Sequence, residues 1–234
     1  MRRLVLFDID GTLLLSGGAG RRAILAAVTD EAGIGPDDVD RVRFDGKTDP
    51  QIVTELFEAA GHAERPGPDR IERVLDRYLY HLEQDLARSA DRATVMPGVR
   101  PLLESLGGDD RIVVGLLTGN VTRGAMLKLQ AVRIRSDQFR VGAYGSDHSV
   151  RSELPAIAVE RARPIFGRRP VGDEVVIIGD TPADVTCGRG VGARSIGVAT
   201  GSFSTDSLAS AGADHVFADL SDTAAVHAAI VGAA

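Results

Sequence analysis

Residues 4–12, Leu-Val-Leu-Phe-Asp-Ile-Asp-Gly-Thr, constrain the fold of this chain more than any other stretch. The four apolar residues 4–7 predict a short strand that is buried on both faces, as in a parallel sheet. Two aspartates, Asp8 and Asp10, follow at once. Open α/β sheets bind their ligands at the carboxyl ends of the strands, so this placement predicts a ligand site. For this stretch alone, a β-turn capped by an aspartate is the alternative.

Two carboxylates one residue apart also predict a divalent cation. Like charges held close together repel, which raises the free energy of an unpaired pair. A cation removes that repulsion, and Mg²⁺ prefers hard oxygen ligands, only a few of them from protein. The pattern of Asp8 and Asp10 therefore predicts a metal-dependent site in which an aspartate serves as nucleophile or as ligand.

The rest of the chain divides into a helical part and an alternating part. Residues 16–93 contain amphipathic helical segments; one begins with Asp49 as its predicted N-cap residue and another runs from about Asp69 to Ser89. Beyond them, strands and helices alternate, which predicts a parallel sheet with helices on both faces. The predicted strands are residues 112–117, 139–144, 175–178, 194–199 and 215–218. We predict an α/β core domain of residues 1–15 and 94–234, with a helical domain of residues 16–93 inserted after the first strand.

The strand at residues 112–117 ends in chemically useful residues, Thr118, Gly119 and Asn120. A hydroxyl followed by glycine at a strand-to-helix turn offers an O–H and backbone N–H groups at a helix N-terminus, which predicts a phosphate-binding loop. The alternative is that Thr118 simply caps the next helix.

The strand at residues 175–178 leads to Asp180, and Asp184 lies one helical turn further along the chain. Residues four apart on a helix lie on the same face, so both carboxylates are predicted to face the same way and to hold Mg²⁺. An N-cap aspartate is the alternative for this stretch alone. Three polar strand ends that converge on one rim favour a functional site over three separate turns.

These motifs resemble those of the haloacid dehalogenase superfamily, in its phosphatase branch. Residues 7–13, Phe-Asp-Ile-Asp-Gly-Thr-Leu, look like motif I; Thr118 is similar to motif II, and Asp180 with Asp184 to motif IV. The resemblance covers essentially the whole chain. It is strongest to phosphoglycolate phosphatase-like members, which carry a helical cap after motif I. It implies a Rossmann-like parallel-sheet core.

The resemblance also implies a role for each motif residue. Asp8 is expected to be the nucleophile and Asp10 the general acid and base. Mg²⁺ is the implied cofactor, held by Asp8, the backbone carbonyl of Asp10 and Asp180, with Asp184 in support. The loop Thr118, Gly119 and Asn120 is expected to bind the phosphoryl oxygens.

Basic residues complete the predicted site. The family has a lysine before the helix that precedes the motif IV strand, but residues 148–155 contain none. Arg151 is the candidate in its place, because a guanidinium binds phosphate, although its planar fork is larger than an ammonium group. Residues 46–50 resemble the substrate-facing loop of the cap, so Lys47 is expected to meet a substrate carboxylate or phosphate. A solvated helix start for Arg151 and an ordinary exposed lysine for Lys47 are the alternatives. Lys128, the other lysine of the chain, is predicted to lie on a surface helix.

We therefore predict a Mg²⁺-dependent phosphatase that hydrolyses a small phosphate monoester, phosphoglycolate-like or a sugar phosphate, through an aspartyl-phosphate. A phosphosugar mutase of the β-phosphoglucomutase type shares every residue named and stays open as the alternative. A dehalogenase is less favoured, because halide needs no proton on leaving and dehalogenases lack an acid at the position of Asp10. The presence of both Asp8 and Asp10 disfavours a non-catalytic regulatory protein.

Composition narrows the partners. The formal net charge of −6 gives no basic footprint, so nucleic acid is not an expected partner. No apolar run approaches the roughly 18 residues of a membrane-spanning helix, so no membrane contact is expected. The single cysteine, Cys187, cannot form an internal disulfide, which favours the cytoplasm. The expected partner is a small phosphorylated metabolite, and the sequence gives no oligomeric state.

Overall fold

The computed structural model describes residues 1–35, 41–88 and 90–232. The strands are β1 (Arg3–Phe7), β2 (Leu14–Leu15), β3 (Thr94–Val95), β4 (Ile112–Thr118), β5 (Val141–Tyr144), β6 (Val175–Gly179), β7 (Arg194–Val198) and β8 (His215–Phe217). The helices are α1 (Ala19–Ala32), α2 (Asp49–Ala59), α3 (Pro68–Arg88), α4 (Val99–Gly107), α5 (Thr122–Ala131), α6 (Leu154–Phe166), α7 (Pro182–Cys187), α8 (Thr205–Ser210) and α9 (Thr223–Val231).

Six strands form one parallel sheet in the order β5-β4-β1-β6-β7-β8. Successive side chains of the central strand β1 point to opposite faces. Val5 and Phe7 pack into a cluster with α4, α5 and α9, while Leu4 and Leu6 pack into a second cluster with α6. All four side chains are fully buried. This confirms the predicted fold class, a Rossmann-like parallel sheet covered by helices on both faces.

Helices α1, α2 and α3, here called the helical layer, pack around a separate hydrophobic cluster. Phe57 and Tyr78 are its largest fully buried side chains. Val121, from the loop after β4, also belongs to this cluster and so joins the helical layer to the sheet. The division into domains at residues 16 and 93 stays a prediction.

The chain enters and leaves the helical layer through two short strands that the sequence did not predict. Strands β2 and β3 pair antiparallel, with Leu14 opposite Val95 and Leu15 opposite Thr94. Two residues are too few to show a strand periodicity. Because the two connecting segments pair with each other, the ends of the helical layer lie side by side.

The structure corrects one predicted helix start. Thr48, and not Asp49, is the N-cap residue of α2, and its hydroxyl oxygen accepts a hydrogen bond from the Gln51 N–H at 3.2 Å. Asp49 is the first residue of the helix, and its carboxylate accepts a hydrogen bond from the Val121 N–H instead. Ser89, the predicted end of α3, lies outside the described residues. Within the described ranges, no helix combines the length and the apolar character needed to cross a bilayer.

Candidate active site

Three neighbouring strands bring their polar ends to one edge of the sheet. Asp8 follows β1, Thr118 ends β4 and Asp180 follows β6, and these strands are adjacent in the sheet. The Asp8 N–H donates to the Ile178 carbonyl at 2.9 Å, which fixes the backbone where β1 ends. All three side chains are buried and line a cavity of about 510 Å³ between the sheet and the helical layer. The predicted convergence of the three strand ends is therefore present.

Asp8, Asp180 and Asp184 form a buried carboxylate cluster. One oxygen from each lies within 4.8 Å of the others. Burial raises the pKa of Asp8 to about 7, with the Asp184 carboxylate adding to the rise and Arg151 opposing it. Burial, with the charges of Asp184 and Asp8, raises the pKa of Asp180 to about 9. Each shift reflects negative charge crowded into a dry site.

This cluster fits a divalent cation. Its donors are carboxylate oxygens, the ligands that Mg²⁺ prefers, and Arg151 pairs with two of the three carboxylates, those of Asp8 and Asp184. Asp8, Asp180 and Asp184 would hold the ion. The Asp10 carboxylate lies outside this cluster and binds Asn120 and Lys128 instead. The role of the Asp10 backbone carbonyl as a Mg²⁺ ligand stays a prediction.

Two glycines make room for the Asp180 carboxylate. A Cβ atom at Gly201 would lie 1.8 Å from Asp180 Oδ2, and one at Gly11 would lie 2.3 Å from it. Gly11 also has a positive φ of 84°, which favours glycine. The Thr12 hydroxyl donates to Asp180 Oδ1 at 3.0 Å. The loop after β1 therefore sets the position of the carboxylate that follows β6.

Arg151 lies between two of the carboxylates. It begins a 3₁₀ turn before α6, and its Nη2 donates to Asp8 Oδ1 at 2.8 Å and to Asp184 Oδ1. Burial lowers the pKa of Arg151, but the Asp184 and Asp8 carboxylates outweigh it and raise that pKa well above its ordinary value. The side chain is 7% exposed, so the alternative of a solvated helix start is wrong.

Asp184 is held by the first turn of α7, in which it is the third residue. Its Oδ2 accepts hydrogen bonds from the Thr181 N–H at 3.0 Å and from the Thr181 hydroxyl at 2.6 Å. Thr181 is the N-cap residue of α7, and it accepts a hydrogen bond from the Asp184 N–H in return. One Asp184 oxygen therefore caps the helix while the other binds Arg151.

The loop after β4 connects the sheet to Asp10. The Asn120 side-chain Nδ2 donates to Thr118 Oγ1 and to Asp10 Oδ2, each at 2.8 Å. Asn120 Oδ1 accepts from the Lys128 ammonium at 2.6 Å. Both ends of the Asn120 amide are engaged, so this side chain positions its neighbours. The predicted phosphate contacts of Thr118, Gly119 and Asn120 stay predictions.

Lys128 is a site residue that the sequence reasoning missed. Its Nζ lies 2.6 Å from Asp10 Oδ2, and the residue is 4% exposed, so the prediction of a surface position is wrong. The buried positions of α5 are Gly124, Ala125, Lys128 and Leu129. This spacing is one helical face. The helical periodicity therefore carried a signal that Lys128 points inward.

Lys47 lines the cavity from the helical layer. Its ammonium pairs with Glu55 of α2, and its side chain is 26% exposed. The backbone around it is fixed to the sheet edge: Asp49 N–H donates to the Gly119 carbonyl at 2.8 Å, and the Thr48 hydroxyl donates to the Ser149 carbonyl at 2.6 Å. Lys47 faces the cavity but does not join the carboxylate cluster.

Asp49 is buried where α2 meets the sheet edge. Its Oδ2 accepts a hydrogen bond from the Val121 N–H at 2.8 Å. Burial raises the pKa of Asp49 to about 6, while the charge of Lys128 opposes the rise.

Residues 5–189 match the family model of the haloacid dehalogenase-like hydrolases, and the chain belongs to that family. A phosphoglycolate phosphatase of Chromobacterium violaceum is 28% identical over 211 residues, which cover 85% of this chain and 86% of that protein. A hydrolase from Pseudomonas syringae superposes with a TM-score of 0.71 at 21% identity, over 98% of this chain and 99% of that one. A predicted phosphoglycolate phosphatase from Haemophilus somnus superposes with a TM-score of 0.69 at 19% identity, covering 97% and 98%.

These comparisons confirm the predicted superfamily and the predicted enzyme class, a hydrolase of the phosphatase type. The two structural relatives support the fold, because they align over nearly the full length of both chains.

Proposed function

We propose that this enzyme is a Mg²⁺-dependent phosphatase that hydrolyses a small phosphate monoester through an aspartyl-phosphate on Asp8. One observation carries the proposal, the buried carboxylate cluster of Asp8, Asp180 and Asp184 at the cavity. Arg151 donates hydrogen bonds to two of its members, Asp8 and Asp184. Bound Mg²⁺ would neutralise the charge between this cluster and an anionic substrate.

The two half-reactions use Asp8 and Asp10 in turn. In the first, a carboxylate oxygen of Asp8 bonds to phosphorus, the bond from phosphorus to the ester oxygen breaks, and Asp10 gives that oxygen a proton. In the second, water attacks the phosphorus, Asp10 takes its proton, and inorganic phosphate leaves Asp8 free. Arg151 binds Asp8 directly, so its guanidinium is placed to offset negative charge on the transferring group.

The helical layer would select the leaving group. We propose that residues 16–93 form a cap and that Lys47 meets an anionic group on the ester. The size of the cavity supports a small ester, and the phosphoglycolate phosphatase relative supports one with a carboxylate. We also propose a cytoplasmic location, which a chain with a single cysteine and no internal disulfide favours.

Phosphate release from a panel of small esters tests the proposal. Phosphoglycolate, simple alkyl phosphates and hexose phosphates are assayed with Mg²⁺ and again with EDTA. We expect release that EDTA abolishes, and a loss of at least about 10⁴-fold in kcat for Asp8→Asn, which removes the nucleophile. Asp137→Asn, at an exposed ion pair with Arg135, is the matched control and is expected to keep full activity.

Two results would contradict the proposal. Full activity in Asp8→Asn would show that Asp8 is not the nucleophile. Conversion of a hexose phosphate into its isomer without phosphate release would establish the mutase instead.

A further inference from the structure

Helix α5 places a buried ammonium group against the Asp10 carboxylate. Lys128 Nζ lies 2.6 Å from Asp10 Oδ2 and 2.6 Å from Asn120 Oδ1. The Lys128 side chain is 5% exposed, whereas the Asp10 side chain is 41% exposed and lines the cavity. A buried charge is costly unless it is paired and hydrogen-bonded. The buried Lys128 Nζ thus has its ion-pair partner at the cavity surface.

Both donors bind the same oxygen of Asp10. Asn120 Nδ2 donates to Oδ2 at 2.8 Å, and Lys128 Nζ donates to that same Oδ2. The hydrogen bonds that the structure gives these two donors to Asp10 both end on Oδ2. Two donors on one oxygen fix the orientation of the carboxylate, so Oδ1 is the atom that they leave for the substrate.

The helical layer closes over the ammonium group from the other side. A Cβ atom at Gly20 of α1 would lie 3.1 Å from Lys128 Nζ. Helix α1 therefore approaches Lys128 closely and helps to bury its ammonium group. A charge interaction is stronger where water is excluded.

We propose that Lys128 is a positioning residue for the proton transfer to the leaving oxygen. It holds Asp10 with Oδ1 toward the ester, and it stabilises the negative charge that appears on the carboxylate as the proton departs. This inference rests on the proposed function, because it assigns Lys128 to the acid step of that reaction.

A positioning role for Lys128 predicts different rate losses on two kinds of ester, which a purely structural role would not. An alkoxide is a poor leaving group and needs the proton, whereas 2,4-dinitrophenolate is a stable anion and leaves without it. Loss of Lys128 is therefore expected to slow alkyl esters selectively. The value of kcat/KM reports this first half-reaction, because it includes only the steps up to the irreversible departure of the leaving group, and hydrolysis of the aspartyl-phosphate comes later.

The test compares Lys128→Met with the wild type on two esters. With Mg²⁺ present, we expect kcat/KM to fall about 100-fold for the best alkyl phosphate of the panel, within the range of general acid catalysis, and less than about threefold for 2,4-dinitrophenyl phosphate. Arg123→Met, on the same helix at an exposed ion pair with Glu83, is the matched control, and it is expected to leave both values unchanged.

The same substitution in an Asp10→Asn enzyme distinguishes a positioning role of Lys128 from a role in stability. If Lys128 acts through Asp10, then Lys128→Met is expected to have little further effect once Asp10→Asn is present. Lys128→Gln, which keeps an N–H donor for Oδ2 without the charge, gives the same comparison of esters should the methionine variant fail to fold. Circular dichroism of each variant checks the fold.

The failures of the two proposals look different. A wild type that hydrolyses neither ester would overturn the proposed function. A wild type that hydrolyses both esters, with equal losses on the two in Lys128→Met and Lys128→Gln, would overturn the inference about Lys128 alone. If Lys128→Met lowered kcat/KM as much in the Asp10→Asn enzyme as in the wild type, the inference about Lys128 would be overturned as well.

Discussion

The two sides of the cavity hold their charges in different ways. On the sheet side, Asp8 and Asp184 both bind Arg151, and all three side chains are less than 10% exposed. On the side of the helical layer, Arg21 and Lys47 face the cavity while partly exposed. Lys47 pairs within its own segment, with Glu55. Arg21 donates to the Val42 carbonyl and lies over the Phe44 ring.

We propose that this difference separates the chemistry from the choice of substrate. The sheet-side groups come from distant parts of the chain and fix one another, so they are preorganised for a transition state whose charge is the same for every phosphate ester. The side chains of Arg21 and Lys47 instead make their contacts within residues 16–93, with the Val42 carbonyl and the Phe44 ring and with Glu55. They can therefore change with little effect on the sheet side, which suits a surface that selects among leaving groups.

Removal of Arg151 gives the largest expected effect in this comparison. Arg151→Met leaves the Asp8 and Asp184 carboxylates buried without their cation, so the free energy of unfolding is expected to fall by about 3–5 kcal/mol. Urea denaturation in EDTA at neutral pH measures the loss. Because the guanidinium is also proposed to offset charge on the transferring phosphoryl group, kcat/KM is expected to fall at least about 100-fold.

Arg161→Met is the matched control for Arg151. Arg161 pairs with Asp147 at a side-chain exposure of 45%, so its loss is expected to cost at most about 1 kcal/mol. If the two variants lost equal free energy of unfolding, the sheet-side ion pairs would be no more important for stability than those on the surface, and the contrast between the two sides of the cavity would be wrong.

The strand ends could be predicted because sheet topology alone brings them together. Asp8, Thr118 and Asp180 each follow or end a strongly apolar strand, and parallel neighbours must end at the same edge. Arg151 could be proposed from its place before α6. Its contact with two carboxylates depends on the packing of the turn that carries it, which the sequence pattern does not contain.

The contacts between the sheet and the helical layer were harder to predict. Lys128 is predicted on a surface helix but is buried, and the inward face of α5 becomes evident only from the spacing of its small and apolar neighbours. Asp49 was assigned as an N-cap residue, whereas its carboxylate binds Val121 across the junction. Strands β2 and β3 are too short to be recognised. In each case a tertiary contact decided the outcome.

The junction itself can be tested through Asp49. Its pKa rises from 3.8 to about 6 in the folded protein because it is buried, so the folded state holds the proton more tightly than the unfolded state. The contribution of Asp49 to stability is therefore greatest below pH 4 and is lost as the pH rises through 6. In Asp49→Asn this loss is absent, and the oxygen that accepts from Val121 N–H is retained.

Unfolding at pH 4 and pH 7 measures the effect. Relative to the wild type, the free energy of unfolding of Asp49→Asn is expected to gain about 2 kcal/mol between pH 4 and pH 7, from about 1.4 kcal/mol per pKa unit. Asp76→Asn makes the same change in net charge on an exposed position of α3 and controls for it. A difference that stays constant with pH would show that Asp49 is not buried at the junction in solution.

The smallest expected effect is that of Lys47→Met, and it sharpens the comparison most. If Lys47 only binds an anionic group on the leaving group, its loss removes the same stabilisation from the bound substrate and from the transition state. KM for a carboxylate-bearing ester is then expected to rise about tenfold with kcat little changed. For an ester without a second anionic group, KM is expected to rise less, and the free energy of unfolding is expected to stay within about 1 kcal/mol, because the Glu55 pair is partly exposed.

Lys128→Met provides the contrast of the same residue change on the sheet side. A fall in kcat for Lys47→Met on every ester would place Lys47 with the chemistry, and the separation between the two sides of the cavity would then be wrong.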